Sequence, residues 1–281
     1  MMSVEVMAVV LAGALLHAAW NVIVKSGDDK LLDVVRVQTA AAVIAWPLVP
    51  FVPLPLPEAW PCLAASVTIH CAYFSLVAAA YRSGDLSLAY PVMRGSAPLL
   101  TAVIAYLFLG EQPGAVAWAG IAGMSVGIWL LALDARRKSR HQLRSLAIGL
   151  VNALTIVAYT VIDGAGVRLA GSAWSYAVWV FALNAVPLIL MLCVLRGPRV
   201  LPHLAPKWSA STLGGALTFG SYTATLWAMT LAPIALVAAL RESSVIFALA
   251  FAAFTLRERF GPARWTASLC VAAGAAALKL A

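Results

Sequence analysis

Apolar runs about 20 residues long follow one another along the whole chain, separated by short gaps rich in proline, glycine and charge. A helix needs roughly 20 residues to cross a hydrocarbon core of about 30 Å, so each run is long enough to span a membrane. Reading from turn to turn predicts ten segments, at approximately 4–24, 34–52, 61–81, 86–109, 115–133, 145–162, 173–195, 209–230, 234–256 and 265–280. Some ends are sharp, as at "PLPLPEAWP" (53–61) and "LRGPRVLPHLAPK" (195–207), where proline and charge stop a helix. The gap at 231–233 is barely a turn. The expected fold class is an all-α polytopic membrane protein.

The pattern also repeats. A shift of 147 residues lays "LFLGEQPGAVAW" (107–118) on "FTLRERFGPARW" (254–265). In the same register Arg94 meets Arg241, Ser96 meets Ser243, Glu111 meets Glu258, Gly114 meets Gly261, Trp118 meets Trp265 and Gly127 meets Gly274. Shared hydrophobicity does not account for rare residues matching at one offset. The chain reads as two five-helix copies, 1–134 and 145–281, joined by a basic linker at 135–144. Five is odd, so the second copy enters the membrane from the opposite face, giving ten transmembrane helices as two inverted repeats.

Charge tests that inversion. The loops after segments 1, 3, 5, 7 and 9 hold 15 Lys and Arg residues, among them Lys25, Lys30, Arg82, Arg137, Arg196 and Arg264. The other side has only Arg168 and Lys279. The positive-inside rule therefore places the odd loops in the cytoplasm and both termini outside, in a bacterial-type cytoplasmic membrane. Glu5, with no basic residue before the first segment, and the lack of a small-x-small cleavage site make that segment a span and not a signal peptide.

Composition changes the picture mainly by exclusion. Of 281 residues, 63% are hydrophobic and 11% charged, outside the range of soluble domains. The net charge of +8 resides in the short gaps, which argues topology and not nucleic-acid binding. Cys62, Cys71, Cys193 and Cys270 sit in apolar runs with no C-x-x-C pair or neighbouring ligand at metal spacing, so neither a metal nor a cofactor is expected. There is no Walker motif, so transport powered by ATP hydrolysis in this chain is not expected.

"LLHAAWNVIVK" (15–25), "YPVMRGSAPLLTAVIAYLFLGE" (90–111) and "LRESSVIFALAFAAFTLRERF" (240–260) together resemble the EamA family of the drug/metabolite transporter superfamily. The resemblance covers essentially the whole chain. It rests on the paired five-helix layout and on the Gly-Glu turn after the fourth helix, of which the second copy keeps Glu258 but has Arg257 for the glycine. It implies a transporter of small metabolites, with amino-acid exporters, some of them for aromatic amino acids, among the members. Many relatives are expected to have cytoplasmic termini, whereas the charge count here argues for external ones.

The candidate chemistry begins with two arginines. Arg94 lies nine residues after Asp85, about 13 Å into the membrane, and Arg241 eight after Pro233, about 12 Å in from the opposite face if the copies are inverted. An arginine at that depth costs at least about 2.5 kcal/mol, so each should face a cavity or a partner. One reading has both guanidinium forks binding the anionic group of a substrate. The other has Glu242 neutralising one of them in a static pair, with Arg94 across the interface the better placed partner. Pro91 and Pro98 deprive the carbonyls of Ser87 and Arg94 of helical donors, as in interrupted transporter helices.

His17 and Asn21 share a face of segment 1 with Trp20 close by, and Ser66, His70 and Tyr73 form a polar stripe on segment 3. Tyr90, Tyr222 and Ser243 complete the expected substrate contacts, with Trp227 a further aromatic near them. On segment 6, Asn152, Tyr159 and Asp163 share a face, although Asp163 reads best as a solvated loop residue. Glu242 is then the only acid placed to couple protons. "GMSVG" (123–127) has the spacing for close helix packing, read here as packing within one monomer.

The expected function is secondary transport of a small carboxylate-bearing metabolite, most plausibly an amino acid, by a monomer in the lipid bilayer. A drug carrier or a sugar-phosphate or nucleotide carrier of the same fold is the alternative. A membrane-embedded enzyme would need acids, histidines or a metal converging near one interface, and a channel would need rings of like residues; neither is read here.

Overall fold

The computed structural model describes residues 2–82, 86–136, 142–205, 208–256 and 261–281, and among them all regular structure is helical. The α-helices are α1 Val4–Ser26, α2 Lys30–Ala45, α3 Trp60–Arg82, α4 Leu86–Phe108, α5 Ala115–Arg136, α6 Gln142–Leu169, α7 Ala173–Arg196, α8 Trp208–Leu231, α9 Ile234–Arg241, α10 Ser244–Leu256 and α11 Pro262–Leu280. Eight segments among the described residues are long and apolar enough to cross a membrane. Side-chain caps start several helices: Ser3 accepts from Val6 N–H, Asp29 from Leu32 N–H and Ser172 from Ser175 N–H.

Four local outcomes differ from the pattern reading. The second segment leaves α-geometry at Trp46 and runs on as a 3₁₀ turn to Phe51, because Pro47 and Pro50 remove two donors. Pro91 and Pro98 do not interrupt α4, which runs unbroken from Leu86 to Phe108. The break lies instead in the proline-free copy, at Glu242–Ser243 between α9 and α10, where i→i+3 bonds such as Ser243 N–H to Leu240 O replace the α-helical ladder. Finally, α6 extends to Leu169, so Asp163 is not a loop residue but lies inside the helix, fully buried.

The last outcome has a clear cause. "DGAG" (163–166) reads as a turn, yet its glycines serve close packing. A first side-chain carbon at Gly164 would meet Ile234 at 2.5 Å, and one at Gly166 would meet the Tyr176 hydroxyl at 2.5 Å. The same holds where α5 crosses α11: a carbon added at Gly120 would lie 2.9 Å from Gly274 O, and one at Gly127 would lie 3.0 Å from Ala267 O. Of the two glycines in "GMSVG", Gly127 is thus the packed one, while Gly123 has open space.

Helix packing follows a regular scheme. Against α8 and α10 lies α1; against α3 and α4 lies α6; α5 pairs with α11, α2 with α7 and α4 with α9. Every residue of α9 from Ile234 to Arg241 is buried, which makes this short helix the centre of the largest core cluster, with Val10, Leu63, Ile121, Tyr176 and Leu226 around it. A helix apolar nearly all round belongs at a centre.

Polar contacts tie the two ends of the bundle. At one end Glu111 accepts from the N–H groups of Ile234 (2.7 Å) and Ala235 (3.1 Å) and pairs with Arg168 at 3.1 Å. Pro233 offers α9 no side-chain cap, so a carboxylate from the α4–α5 turn supplies it; a cap of this kind contributes about 1 kcal/mol. Gly110, at φ +68°, makes that turn possible. The matching residues Arg257 and Glu258, like residues 137–141 of the basic linker, lie outside the described residues. At the other end Arg196 grips Asp29 with both terminal nitrogens, and Arg36 donates to His203 O at 2.8 Å. The guanidinium beside Asp29 holds its carboxyl below the usual carboxylate range.

Candidate functional site

A small cavity lies where α1, α2, α3, α6, α7, α8 and α9 converge, about 50 Å³ in volume. His17, Trp20, His70, Tyr73, Tyr222 and Arg241 line it, together with Gln38, Phe74, Tyr159, Val180, Phe181, Asn184, Thr218 and Ser221. That volume holds a few water molecules and is too small for a metabolite unless the walls part. A larger cavity of about 420 Å³ between α4 and α5 is walled mainly by Leu99, Leu100, Val126, Trp129 and Leu133, some of them exposed, and has the character of a lipid-facing crevice.

The two arginines have different fates. Arg94 is 1% exposed, and its Nε lies 2.7 Å from Glu242 Oε2, while its Nη2 donates to Ser244 Oγ at 2.8 Å. One guanidinium fork thus holds the residues on both sides of the α9–α10 break. Arg241 is 3% exposed, and among the described residues its hydrogen-bond partner is the Tyr159 hydroxyl, which accepts from Nη2 at 3.4 Å, while Nε has none. Its charge lies 5.9 Å from the Tyr159 ring centre, within cation–π range. Arg241 lines the cavity and Arg94 does not.

The remaining expected residues fall into two groups. His17, Trp20, His70, Tyr73 and Tyr222 come together on the cavity wall. Trp20 Nε1 donates to His17 Nδ1 at 3.3 Å, and His70 stacks on Tyr159 at 4.4 Å between ring centres. Asn21, Tyr90, Glu242 and Ser243 are not on that wall. Asn21 donates to His17 O within its own helix, Tyr90 lies beneath Arg94 at 6.0 Å, Glu242 is held by Arg94, and the Ser243 hydroxyl is buried without a partner among the described residues.

Sequence reasoning passed over Gln38 and Asn184, which line the cavity with buried amide oxygens that have no hydrogen-bond partner among the described residues. Each is a lone polar residue in an apolar run, "VVRVQTAAAV" and "VFALNAVPL". The same signal picked out Arg94 and Arg241, but an amide costs less than a charge at that depth and stands out less. Asp163 was misjudged in another way, as a loop residue. Its Oδ1 accepts from Tyr176 OH at 2.9 Å and its Oδ2 from Tyr222 OH.

Residues 5–133 match the model of the EamA-like transporter family. A solved structure described only as "Crystal structure of protein" aligns with a TM-score of 0.76 over 100% of this chain and 99% of its own, at 15% sequence identity, a likeness of fold alone. No curated protein matches the chain.

Proposed function

We propose, from the match of residues 5–133 to the EamA-like transporter family, that the chain is a secondary transporter, acting as an exporter, of small metabolites bearing a carboxylate, namely amino acids. The observation that carries the substrate class is Arg241: a buried guanidinium on the cavity wall with no carboxylate in ion-pair contact and an Nε without a hydrogen-bond partner among the described residues. A substrate carboxylate would receive its forked donors. The amide oxygens of Gln38 and Asn184 offer acceptors for an ammonium group, and Phe181, Tyr222, Phe74 and Trp20 offer apolar and aromatic wall. Because Arg94 is spent on Glu242, Arg241 is the one arginine or lysine on the cavity wall among the described residues, which favours a zwitterion or monoanion over a dianionic phosphate.

The helix scheme supports ten spans arranged as two inverted five-helix units, 1–134 and 145–281. Under the 147-residue offset the contact of α1 with α8 mirrors that of α3 with α6, and Gly120 against Gly274 mirrors Gly127 against Ala267. Such units rock about a central site to expose it to one side and then the other. The Glu111–Arg168 contact closes one end, and its release is a step of that motion. The basic residues put the Asp29–Arg196 end in the cytoplasm. Reporters active only outside the cell should therefore signal when fused before Val4 and after Ala281; a cytoplasmic reading at either terminus overturns this orientation.

The test of function is counterflow in proteoliposomes loaded with unlabelled substrate, using labelled amino acids, a sugar phosphate and a cationic dye. Exchange of one or more amino acids is the expected result. Exchange of the dye alone, or of the sugar phosphate alone, overturns the amino-acid assignment.

A further inference from the structure

Asp163 is 0% exposed, and three neighbouring helices contribute its contacts. From α7, Tyr176 OH donates to one carboxylate oxygen at 2.9 Å; from α8, Tyr222 OH donates to the other; from α3, the Ser66 hydroxyl also reaches the carboxylate. His70 of α3 faces it, with Cys62 of the same helix nearby. Arg241 of α9 meets Tyr159 and not Asp163, and no ion pair reaches Asp163 among the described residues. Its hydrogen-bond partners are thus hydroxyls. The other deeply buried acid, Glu242, differs in having Arg94 at 2.7 Å.

An unpaired carboxylate inside a membrane protein is expensive, and a proton removes the charge without moving the fold. Hydroxyls can serve either state, because a tyrosine or serine oxygen accepts from a carboxylic acid as readily as it donates to a carboxylate. Two routes join Asp163 to the cavity. Tyr222 lies on the cavity wall, and so does His70, whose Nδ1–H donates to Ser66 O at 2.9 Å and which stands beside the Ser66 hydroxyl. Under the 147-residue offset Asp163, Tyr222 and His70 correspond to Leu16, Ser75 and Leu217, so the cluster exists once and is not part of the repeated framework. Intramembrane acids of this kind mark proton pathways.

We propose that Asp163 is the proton-binding site that couples transport to a proton gradient, with Tyr222, Ser66 and His70 as its path to the cavity. One proton from cavity water adds to the carboxylate, giving a neutral acid, and leaves on the other side of the membrane after the site has turned over. This rests on the transporter reading above, and the two fail in distinguishable ways.

The first measurement needs no substrate. Infrared difference spectra of the reconstituted protein on acidification should contain a carboxylic-acid C=O band that disappears in Asp163→Asn, shifts in Tyr222→Phe and persists in Glu242→Gln. A wild-type spectrum without such a band, or one that Asp163→Asn leaves unchanged, overturns the proposal. In the second measurement, vesicles carrying a pH step of one unit should accumulate an amino acid that shows counterflow by about tenfold if one proton is coupled. In Asp163→Asn vesicles that still exchange, the accumulation ratio should fall to unity; an undiminished ratio sinks the coupling role. Counterflow failing for every amino acid overturns the transport reading alone, because the infrared band still reports the proton site.

Discussion

Arg241→Ala should raise the KM for amino-acid exchange by two orders of magnitude or abolish it, while the folded protein keeps at least wild-type thermal stability. Removing one partner of a buried, hydrogen-bonded charge pair typically costs about 2–5 kcal/mol of binding, or roughly 30-fold to several thousand-fold. The unchanged stability follows from the empty-handed state of the side chain. Arg241 is a buried cation whose Nε has no hydrogen-bond partner among the described residues, and truncation removes that burden at the loss of one long hydrogen bond and a cation–π contact to Tyr159. A stability gain with lost function is the mark of a binding residue held at a cost to the fold. Arg241→Lys keeps the charge without the fork, and should retain exchange at reduced affinity. Exchange kinetics and a thermal-shift measurement on the same preparations decide the matter; wild-type KM in Arg241→Ala would make the residue structural.

Arg94→Ala should behave in the opposite way, losing stability first. It leaves Glu242 charged, 1% exposed and unpaired, and it frees both residues that flank the α9–α10 break. Breaking a buried pair in this manner costs about 3–5 kcal/mol, a large part of the roughly 5–15 kcal/mol that holds a typical domain together. The double variant Arg94→Ala with Glu242→Gln should recover part of the loss, because no uncompensated charge remains. Melting temperatures of the two single variants and the double variant in one detergent give the coupling directly. Equal stability of Arg94→Ala and wild type would show that the pair contributes nothing to the fold.

The contrast between the arginines was only half legible in the sequence. Both stood out as charges in apolar runs, and the repeat made them equivalents. Their surroundings are not equivalent. The partners of Arg94 are Glu242 and Ser244, and the residues at the matching places for Arg241 are Gly95 and Ala97, which offer neither charge nor hydroxyl. That asymmetry is written in the sequence but becomes readable only once the contact itself is known. Asp163 was hidden differently. The glycines at 164 and 166 look like a turn until Ile234 and Tyr176 are found pressed against them.

By itself the sequence determined the helical class, the long apolar segments, the likeness of the first half to EamA transporters and the few polar residues worth examining. These depend on local composition and spacing, because the bilayer forces each backbone to satisfy its own hydrogen bonds within a helix. Tertiary structure alone decided which arginine is neutralised, that the helix breaks at Glu242 and not at a proline, and that Asp163 is interior. Each of these depends on what lies across a helix interface. The cost of a buried charge is set by its neighbours in space, and for Arg94 the deciding neighbour is 148 residues away along the chain.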